Sequence, residues 1–309
     1  MSKLSAPIDQ ATVRRLFSRP EKLATTDFIR REIATRMAER LDLIKLQADN
    51  IIDAGCGSGQ DLFKLQERYS EASILGVDAS PAMLSLAAEK LAQGQTALSK
   101  VMSKLRLTKF NSGQAINLLC ADFTRLPVPA KSADFIWSNL ALPWHAQPDL
   151  AFAEWRRVLR VDGLLMFSSF GPDTFSEVRL AFAALDDYPH TLPFVDMHDL
   201  GDMLVHAGFS TPVMDMEKIY LTYQEPEQLL REVAAFGGNP LLSKRKALLG
   251  KTAWRQLLDG LEQQRKPDGR LHLSLEVIYG HAFRAPERKN SAGESIIQFE
   301  ALGKTKGKS

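Results

Sequence analysis

Three glycines and an aspartate in one short stretch mark the first place where this sequence could bind a ligand. Residues 50–60 read NIIDAGCGSGQ, an apolar run that ends in Asp53 and is followed by Gly55, Gly57 and Gly59. A helical pattern begins at Asp61, so the stretch predicts a buried strand, a tight turn and a helix N-terminus in direct succession. Because glycine carries no side chain, a ligand can approach this backbone closely. Dinucleotide dehydrogenases and ordinary α/β turns also contain such loops, so the loop alone does not identify the ligand.

Two further apolar segments also end in a carboxylate. Residues 73–78 read SILGVD and place Asp78 about one helix length after the glycine loop, the position of an acid that receives ribose hydroxyls. Residues 117–123 read NLLCADF and end at Asp122 and Phe123. A single aspartate at the end of a strand can simply cap the next helix. Three in order, at the spacing of helical crossovers, predict one cofactor site.

The glycine loop resembles that of class I S-adenosylmethionine-dependent methyltransferases. Its spacing is G-x-G-x-G rather than G-x-G-x-x-G, and Asp53 lies just before the turn. In enzymes of that fold the third strand-end aspartate and its neighbour hold the adenine. The resemblance implies S-adenosyl-L-methionine as cofactor and a Rossmann-like α/β fold, a mostly parallel seven-stranded sheet with an antiparallel strand and helical insertions. The implied cofactor-binding residues are Asp53, Gly55, Gly57, Gly59, Asp78, Ala79, Asp122, Phe123 and Asn139.

The rest of the chain must supply the elements that position these residues. A fourth strand at 133–139 should place residues 139–145 beside the transferred methyl group, because the carboxyl ends of parallel strands border the ligand crevice. Residues 93–116 predict a solvated surface loop with some helix. The other predicted elements are helices at 81–91, 150–159, 174–185 and 199–207, a fifth strand at 164–170, an antiparallel pair at 213–223 and 273–282, and two or three helices within 226–265.

The first 48 residues predict helices with apolar side chains along one side and arginines along the other. Two interpretations stay open, a solvated amphipathic helix over the sheet edge or a lid over the cofactor that presents arginines to an acidic partner. The predicted organisation is a helical lid at 1–48, a methyltransferase domain at 49–284 with a helical insertion at about 225–268, and a disordered tail at 285–309.

Composition narrows the class of protein. The length of 309 residues suits one large domain or a domain with an inserted subdomain, and a formal net charge of +2 does not argue for nucleic acid. The two cysteines, Cys56 and Cys120, are too few for a disulfide framework and indicate a reduced protein. No apolar stretch approaches membrane-spanning length and the N-terminus lacks a signal-peptide core, so we expect a cytoplasmic protein with no membrane or nucleic-acid partner. No metal site is predicted.

Several longer strings are more specific than the glycine loop. They include FGPDT at 170–174 and VDMHD at 195–199, together with strings at 139–142, 207–209, 212–216 and 277–282. They resemble the malonyl-[acyl-carrier protein] O-methyltransferases of biotin synthesis, over about residues 8–284. The resemblance implies methylation of the free carboxylate of a malonyl thioester on an acyl-carrier protein, the entry step to pimelate and biotin. Unlike many members of that family, this chain has no tyrosine at 20–27.

Two other functions stay open at this point. One is a methyltransferase that acts on another small carboxylate or on a hydroxyl. The other is a binding or assembly factor, since a mitochondrial complex I assembly factor has a similar organisation but is assigned arginine hydroxylation. A fold and a cofactor site do not by themselves define the reaction.

A carboxylate acceptor makes modest chemical demands. With an unperturbed pKa near about 4 it is ionised at neutral pH, so it needs orientation but no general base. Arg179, on the helix after residues 170–174, is the first candidate to grip it with two parallel hydrogen bonds, the alternative being a surface arginine. His198 could orient the thioester carbonyl or have a structural role. Trp144 and His145 are expected to wall the methyl pocket, where an aromatic face attracts a sulfonium, although Trp144 could equally be core.

Basic side chains could steer an acidic carrier protein. The candidates are Arg14, Arg15, Arg30, Arg31 and the cluster at 244–246. The alternative is that these residues form an ordinary solvated surface.

Overall fold

The sheet predicted from the strand pattern is present. The computed structural model describes residues 8–104, the side chains of 95–104 excepted, and residues 116–286. The strands in chain order are β1 (Asn50–Ala54), β2 (Ser73–Asp78), β3 (Asn117–Cys120), β4 (Ala133–Asn139), β5 (Leu159–Phe170), β6 (Phe209–Tyr223) and β7 (Leu271–Arg284). They form one sheet in the order β3-β2-β1-β4-β5-β7-β6. The first five are parallel, and β7 lies antiparallel between β5 and β6.

Helices cover both faces of this sheet. They are α1 (Gln10–Phe17), α2 (Pro20–Leu23), α3 (Asp27–Leu41), α4 (Gln60–Arg68), α5 (Pro81–Lys104), α6 (Pro148–Val158), α7 (Ser176–Ala183), α8 (Met197–Ala207), α9 (Pro226–Ala235) and α10 (Lys251–Glu262), with short 3-10 helices at Ala24–Thr26 and Leu142–Trp144. No helix among the described residues is long and apolar enough to cross a membrane.

Some predicted segments differ from the structure in extent. The helix expected at 81–91 continues as α5 to Lys104, so the first part of 93–116 is helix rather than surface loop, and residues 105–115 lie outside the described residues. The helix expected at 174–185 begins only at Ser176, because Phe175 takes a left-handed conformation with φ of 61°. Residues 287–309 of the tail expected at 285–309 lie outside the described residues.

The central strands are buried on both faces, as in other parallel sheets covered by helices. In β1 the side chains of Ile51 and Ile52 point to opposite faces and join different apolar clusters. Ile51 packs in the cluster that includes α3, α4, α9 and α10, whereas Ile52 packs with α6 and α8. The sheet therefore holds the carboxyl ends of β1, β2 and β4 rigidly, where the predicted site residues lie.

The N-terminal helices are part of this packing. Ile29, Ile33 and Met37 of α3 are at most 2% exposed and belong to the core of one sheet face. On the other side of α3, Arg36 and Arg40 form ion pairs with Glu217 and Asp215 of β6. These two arginines are therefore engaged within the chain, and α3 is more than a solvated cover.

Candidate active site

The glycine loop between β1 and α4 is held close to the neighbouring strand ends. The backbone N–H of Gly55 donates to the carbonyl of Val77 at 2.8 Å. At Gly55, where φ is +84°, a Cβ would lie 2.3 Å from the Cβ of Ala141, so a side chain cannot fit. A Cβ at Gly57 would meet no atom within 4 Å. Gly55 thus permits the close packing of two loops, and Gly57 leaves an open approach to the backbone.

The carboxylate of Asp78 is fixed by backbone donors at the end of β2. Its Oδ2 accepts from the N–H of Gly57 at 2.9 Å, and its Oδ1 accepts from the N–H of Ser80 at 2.8 Å. Burial raises the pKa of Asp78, and these two hydrogen bonds oppose that shift. Asp78 is therefore a positioned acceptor at the cavity wall.

Two further carboxylates are buried behind the loop. Asp53, at 1% exposure, has an Oδ2 atom without a hydrogen-bond partner among the described residues. Asp61 accepts hydrogen bonds from Trp137 Nε1 at 2.9 Å and from Asn139 Nδ2 at 3.0 Å. Burial raises the pKa of both carboxyls, and the charges of Asp61 and Asp78 add to the shift at Asp53. An unpartnered buried acid beside a second one fits a cationic ligand group.

One cavity connects these groups. Of the nine predicted cofactor-binding residues, all except Gly59 line it. Gly59 instead has a packing role, since it begins α4 with φ of +73° and a Cβ there would lie 2.9 Å from the Cβ of Ala87. The lining residues from the prediction are Asp53, Gly55, Gly57, Asp78, Ala79, Asp122, Phe123 and Asn139.

The part of the cavity wall that follows β3 and β4 contains aromatic side chains and the amide of Asn139. Phe123 lies 5.7 Å, between ring centroids, from His145, and Asp122 accepts from the N–H and hydroxyl of Thr124. Asn139 accepts from Ser168 Oγ at 2.8 Å and donates to the carbonyl of Arg30 at 3.0 Å. These bonds orient the Asn139 amide.

Trp144 and His145 also line the cavity, as expected from their position after β4. Phe17 of α1 packs edge-on against Trp144 with ring centroids 5.1 Å apart, and Gln10 donates to the Trp144 carbonyl at 3.3 Å. Gln10, Val13, Arg14 and Phe17 themselves line the cavity. Helix α1 therefore closes one side of the site.

Arg179 and His198 lie elsewhere. Arg179 donates to the carbonyls of Thr174 and Pro172 and borders a separate surface depression. His198 has an 84% exposed side chain that contacts Asp196, the N-cap of α8. Neither residue lines the cavity that holds Asp53 and Asp78. Their assignment to substrate, made from the sequence, stays a prediction.

Arg30 lines the cavity, whereas the sequence predicted it for the surface that steers an acidic carrier protein. Its Nη1 donates to Thr26 Oγ1 at 3.0 Å and to Asp27 Oδ1 at 3.3 Å. Burial lowers its pKa, opposed by the charge of Asp27. In the sequence Arg30 has the same helical spacing as the arginines of a solvated face, so no local signal distinguished it.

Comparison with known proteins agrees with this geometry. Residues 52–167 match the family model described as a methyltransferase domain. A protein of Laribacter hongkongensis, named malonyl-[acyl-carrier protein] O-methyltransferase, is 43% identical over 94% of this chain and 96% of its own. The chain belongs to this family. A member from Gallionella capsiferriformans is 40% identical, again over 94% of this chain and 96% of its own.

Solved structures share the family's fold at low sequence identity. The YcgJ protein of Bacillus subtilis has a TM-score of 0.55 and 14% identity, over 81% of this chain and 98% of its own. A putative methyltransferase from Bacillus halodurans has a TM-score of 0.54 and 13% identity, over 82% of this chain and 100% of its own. The class I methyltransferase fold predicted from the sequence is thereby confirmed.

Proposed function

We propose that this protein uses S-adenosyl-L-methionine to convert the free carboxylate of malonyl-[acyl-carrier protein] to its methyl ester. The observation that carries the proposal is the 43% identity, over nearly the whole chain, to a relative with that name. The ester would prime pimelate synthesis for biotin, as the family resemblance implies. The cavity supports the proposal because its lining includes strand-end acceptors for a nucleoside and buried carboxylates for a cation.

The nucleoside end of the cofactor is assigned to the ends of β2 and β3. Asp78, already oriented by Gly57 and Ser80, would accept the ribose hydroxyls. Asp122 and Phe123 would hold the adenine, with Phe123 supplying an apolar face. Because Gly57 has no side chain, its backbone leaves room for the cofactor to lie close to the loop.

The amino-acid end is assigned to groups of both charges. Asp53 and Asp61 would stabilise the ammonium and the sulfonium, which explains why a buried carboxylate such as Asp53 lacks an internal partner. Arg30, on the cavity wall, would bind the carboxylate of the same ligand. The cavity is thus complementary to a ligand that carries an ammonium, a carboxylate and a sulfonium.

The residues beside the acceptor have an alignment task. When bound, the cofactor would supply an electrophilic methyl group to the malonyl carboxylate, with its sulfur as the leaving group. The acceptor is ionised at neutral pH and loses no proton in the transfer, so no side chain has to act as a base. Trp144 and His145 would wall the methyl group, and α1 would exclude water from it.

Basic residues near α1 and α9 are assigned to the carrier protein. Arg15, Arg19 and Lys22 line a surface depression that reaches Ala234 and Gly237 at the end of α9. This set replaces most of the surface predicted from the sequence, because Arg14 and Arg30 line the cavity and Lys244 donates to the carbonyl of Asn239. A row of cations suits an acidic partner.

A cofactor with a labelled methyl group tests whether the protein transfers that group and to which acceptor. The protein should transfer label to malonyl-carrier protein, more slowly to a malonyl-pantetheine thioester, and not to free carrier protein. The label should be released by mild alkali, since a methyl ester hydrolyses there. Tight binding of cofactor without transfer to any malonyl thioester would disprove the proposal.

A further inference from the structure

A second cavity lies beyond Trp144, under the helices between β6 and β7. Its wall is largely apolar and aromatic, and of its lining residues only Trp144 falls within the methyltransferase domain at 52–167. The aromatic residues that line it, besides Trp144, are Phe170, Phe175, Phe182, Phe194, Phe236 and Trp254. Elements outside the matched methyltransferase domain therefore build this cavity.

Trp144 separates the second cavity from the first. It lines both, and its ring lies against the turn after α9. Gly237 in that turn has φ of +134°, and a Cβ there would lie only 2.1 Å from Cη2 of Trp144. The turn accommodates the ring because Gly237 has no side chain. A ligand that passes the Trp144 ring would reach from one cavity into the other.

The second cavity also contains a hydroxyl that lacks a partner. Thr191 is 7% exposed, lines the cavity, and has no hydrogen-bond partner for Oγ1 among the described residues. Buried hydroxyls are normally hydrogen-bonded, because leaving one unpaired costs stability. A ligand with an amide or a thioester carbonyl would supply the missing bond.

The mouth of the second cavity adjoins the basic depression. Ala234 lines both, and Arg231 on the same helix lines the cavity. Arg15, Arg19, Lys22 and Arg231 form no ion pair with any of the described residues. These four unpaired cations face the point where an elongated ligand would leave the protein.

We infer that this second cavity binds the thioester-bearing end of the phosphopantetheine arm of the carrier protein. The inference rests on the proposed function and adds the place where the arm lies. An arm of methylene, dimethyl and amide groups suits an apolar wall with a few polar atoms. The malonyl carboxylate passes Trp144 toward the cofactor, while the phosphodiester and the acidic carrier remain at the four cations.

A variant that obstructs the mouth tests the inference in the full-length chain with S-adenosylhomocysteine bound. Ala234→Trp adds bulk at an exposed position that lines the mouth, and Gln228→Trp adds the same bulk at an exposed position of α9 outside it. Binding of malonyl-pantetheine, measured by calorimetry, should be at least about tenfold weaker in Ala234→Trp and unchanged in Gln228→Trp. S-adenosylhomocysteine should bind all forms equally.

A second variant tests the polar contact. Thr191→Val should weaken malonyl-pantetheine binding several-fold without lowering the melting temperature, because the hydroxyl loses no internal partner. Equal binding in wild type and Ala234→Trp, or no binding of malonyl-pantetheine to wild type, would overturn the arm site. If wild type binds malonyl-pantetheine in this cavity but methylates no malonyl thioester, the proposed reaction fails and the arm site stands.

Discussion

Asp78 supports the glycine loop directly, since its Oδ2 accepts a hydrogen bond from the N–H of Gly57 at 2.9 Å. The same carboxylate is our candidate acceptor for the ribose hydroxyls, so a change at Asp78 should affect both the glycine loop and the binding of the cofactor. Asp78→Ala should weaken S-adenosylhomocysteine binding by about ten- to a hundredfold, the scale of about 1.5–3 kcal/mol for a charged hydrogen bond. Calorimetric titration measures this, with Asp259→Ala at an exposed position of α10 as control.

Gly57→Val tests the open approach to the loop. A Cβ at this position meets no protein atom within 4 Å, although φ of +52° disfavours a β-branched residue. We expect the variant to remain folded and to lose cofactor affinity at least tenfold, because the added bulk occupies space assigned to the ligand. Circular dichroism and calorimetry separate the two effects. Native affinity in both Asp78→Ala and Gly57→Val would show that the cofactor lies elsewhere.

Arg30 should recognise the carboxylate of the amino-acid end. Arg30→Gln is expected to weaken S-adenosylhomocysteine at least about tenfold, the loss of one charged hydrogen bond. Methylthioadenosine, which has no carboxylate, should bind with nearly unchanged affinity. Arg31→Gln is the matched control, since Arg31 is the exposed neighbour on the same helix. An equal loss for both ligands would mean that Arg30 acts on the fold of the site and not on the carboxylate.

Cofactor affinity should depend on pH through Asp53. Burial raises the pKa of this carboxyl, so the empty protein binds a proton there more tightly than the unfolded chain does. That contribution to stability is present at low pH and is lost as pH rises through the raised pKa. A cationic ligand favours the ionised form, so affinity should fall as pH is lowered through the same range, above the usual value near about 4. Calorimetry in two buffers should detect proton release, and Asp53→Asn should reduce it, leaving any release from Asp61 and Asp78, whose pKa values burial also raises.

Arg179 can be tested separately for structure and catalysis. Because its guanidinium donates to the carbonyls of Thr174 and Pro172, Arg179→Lys should lower the melting temperature by a few degrees. We expect kcat/KM for malonyl-carrier protein to change less than about threefold, because Arg179 does not line the cavity that holds Asp53 and Asp78. A tenfold loss of kcat/KM at unchanged stability would instead support the carboxylate role predicted from the sequence.

The basic depression should matter for the carrier protein only. Charge reversal in the double variant Arg19→Glu and Lys22→Glu should raise KM for malonyl-carrier protein about tenfold and leave KM for malonyl-pantetheine unchanged, because both residues line the depression and neither lines the second cavity. The control double variant, Lys45→Glu and Arg270→Glu, changes the net charge equally at exposed positions outside the depression. The carrier reaction of wild type should also slow with added salt, because exposed charges are screened over about 8 Å at physiological ionic strength. Equal effects of the two double variants would remove the docking surface.

Much of the candidate site could be predicted from local sequence. In a strand that is buried on both faces, a polar residue is expected at the carboxyl end. The sequence pattern therefore predicts that Asp53, Asp78 and Asn139 lie at one edge of the sheet. The open backbone at Gly57 likewise follows from residue type. The antiparallel β7 was predictable because its apolar run and that of β6 follow the five parallel strands. These features depend on short segments whose own pattern determines their structure.

The tertiary structure decided which arginines and aromatics share a cavity. Arg30 is drawn into the site because Ile29 and Ile33 pack α3 on the sheet, whereas Arg36 and Arg40 of the same helix pair with β6. Trp144 meets Gly237 across 93 residues of sequence, a contact that neither local pattern contains. Arg179 follows the FGPDT string at 170–174, yet its guanidinium donates to the backbone carbonyls of Thr174 and Pro172. Local pattern determines where a strand or loop ends, but only the packing of distant elements determines which side chains meet.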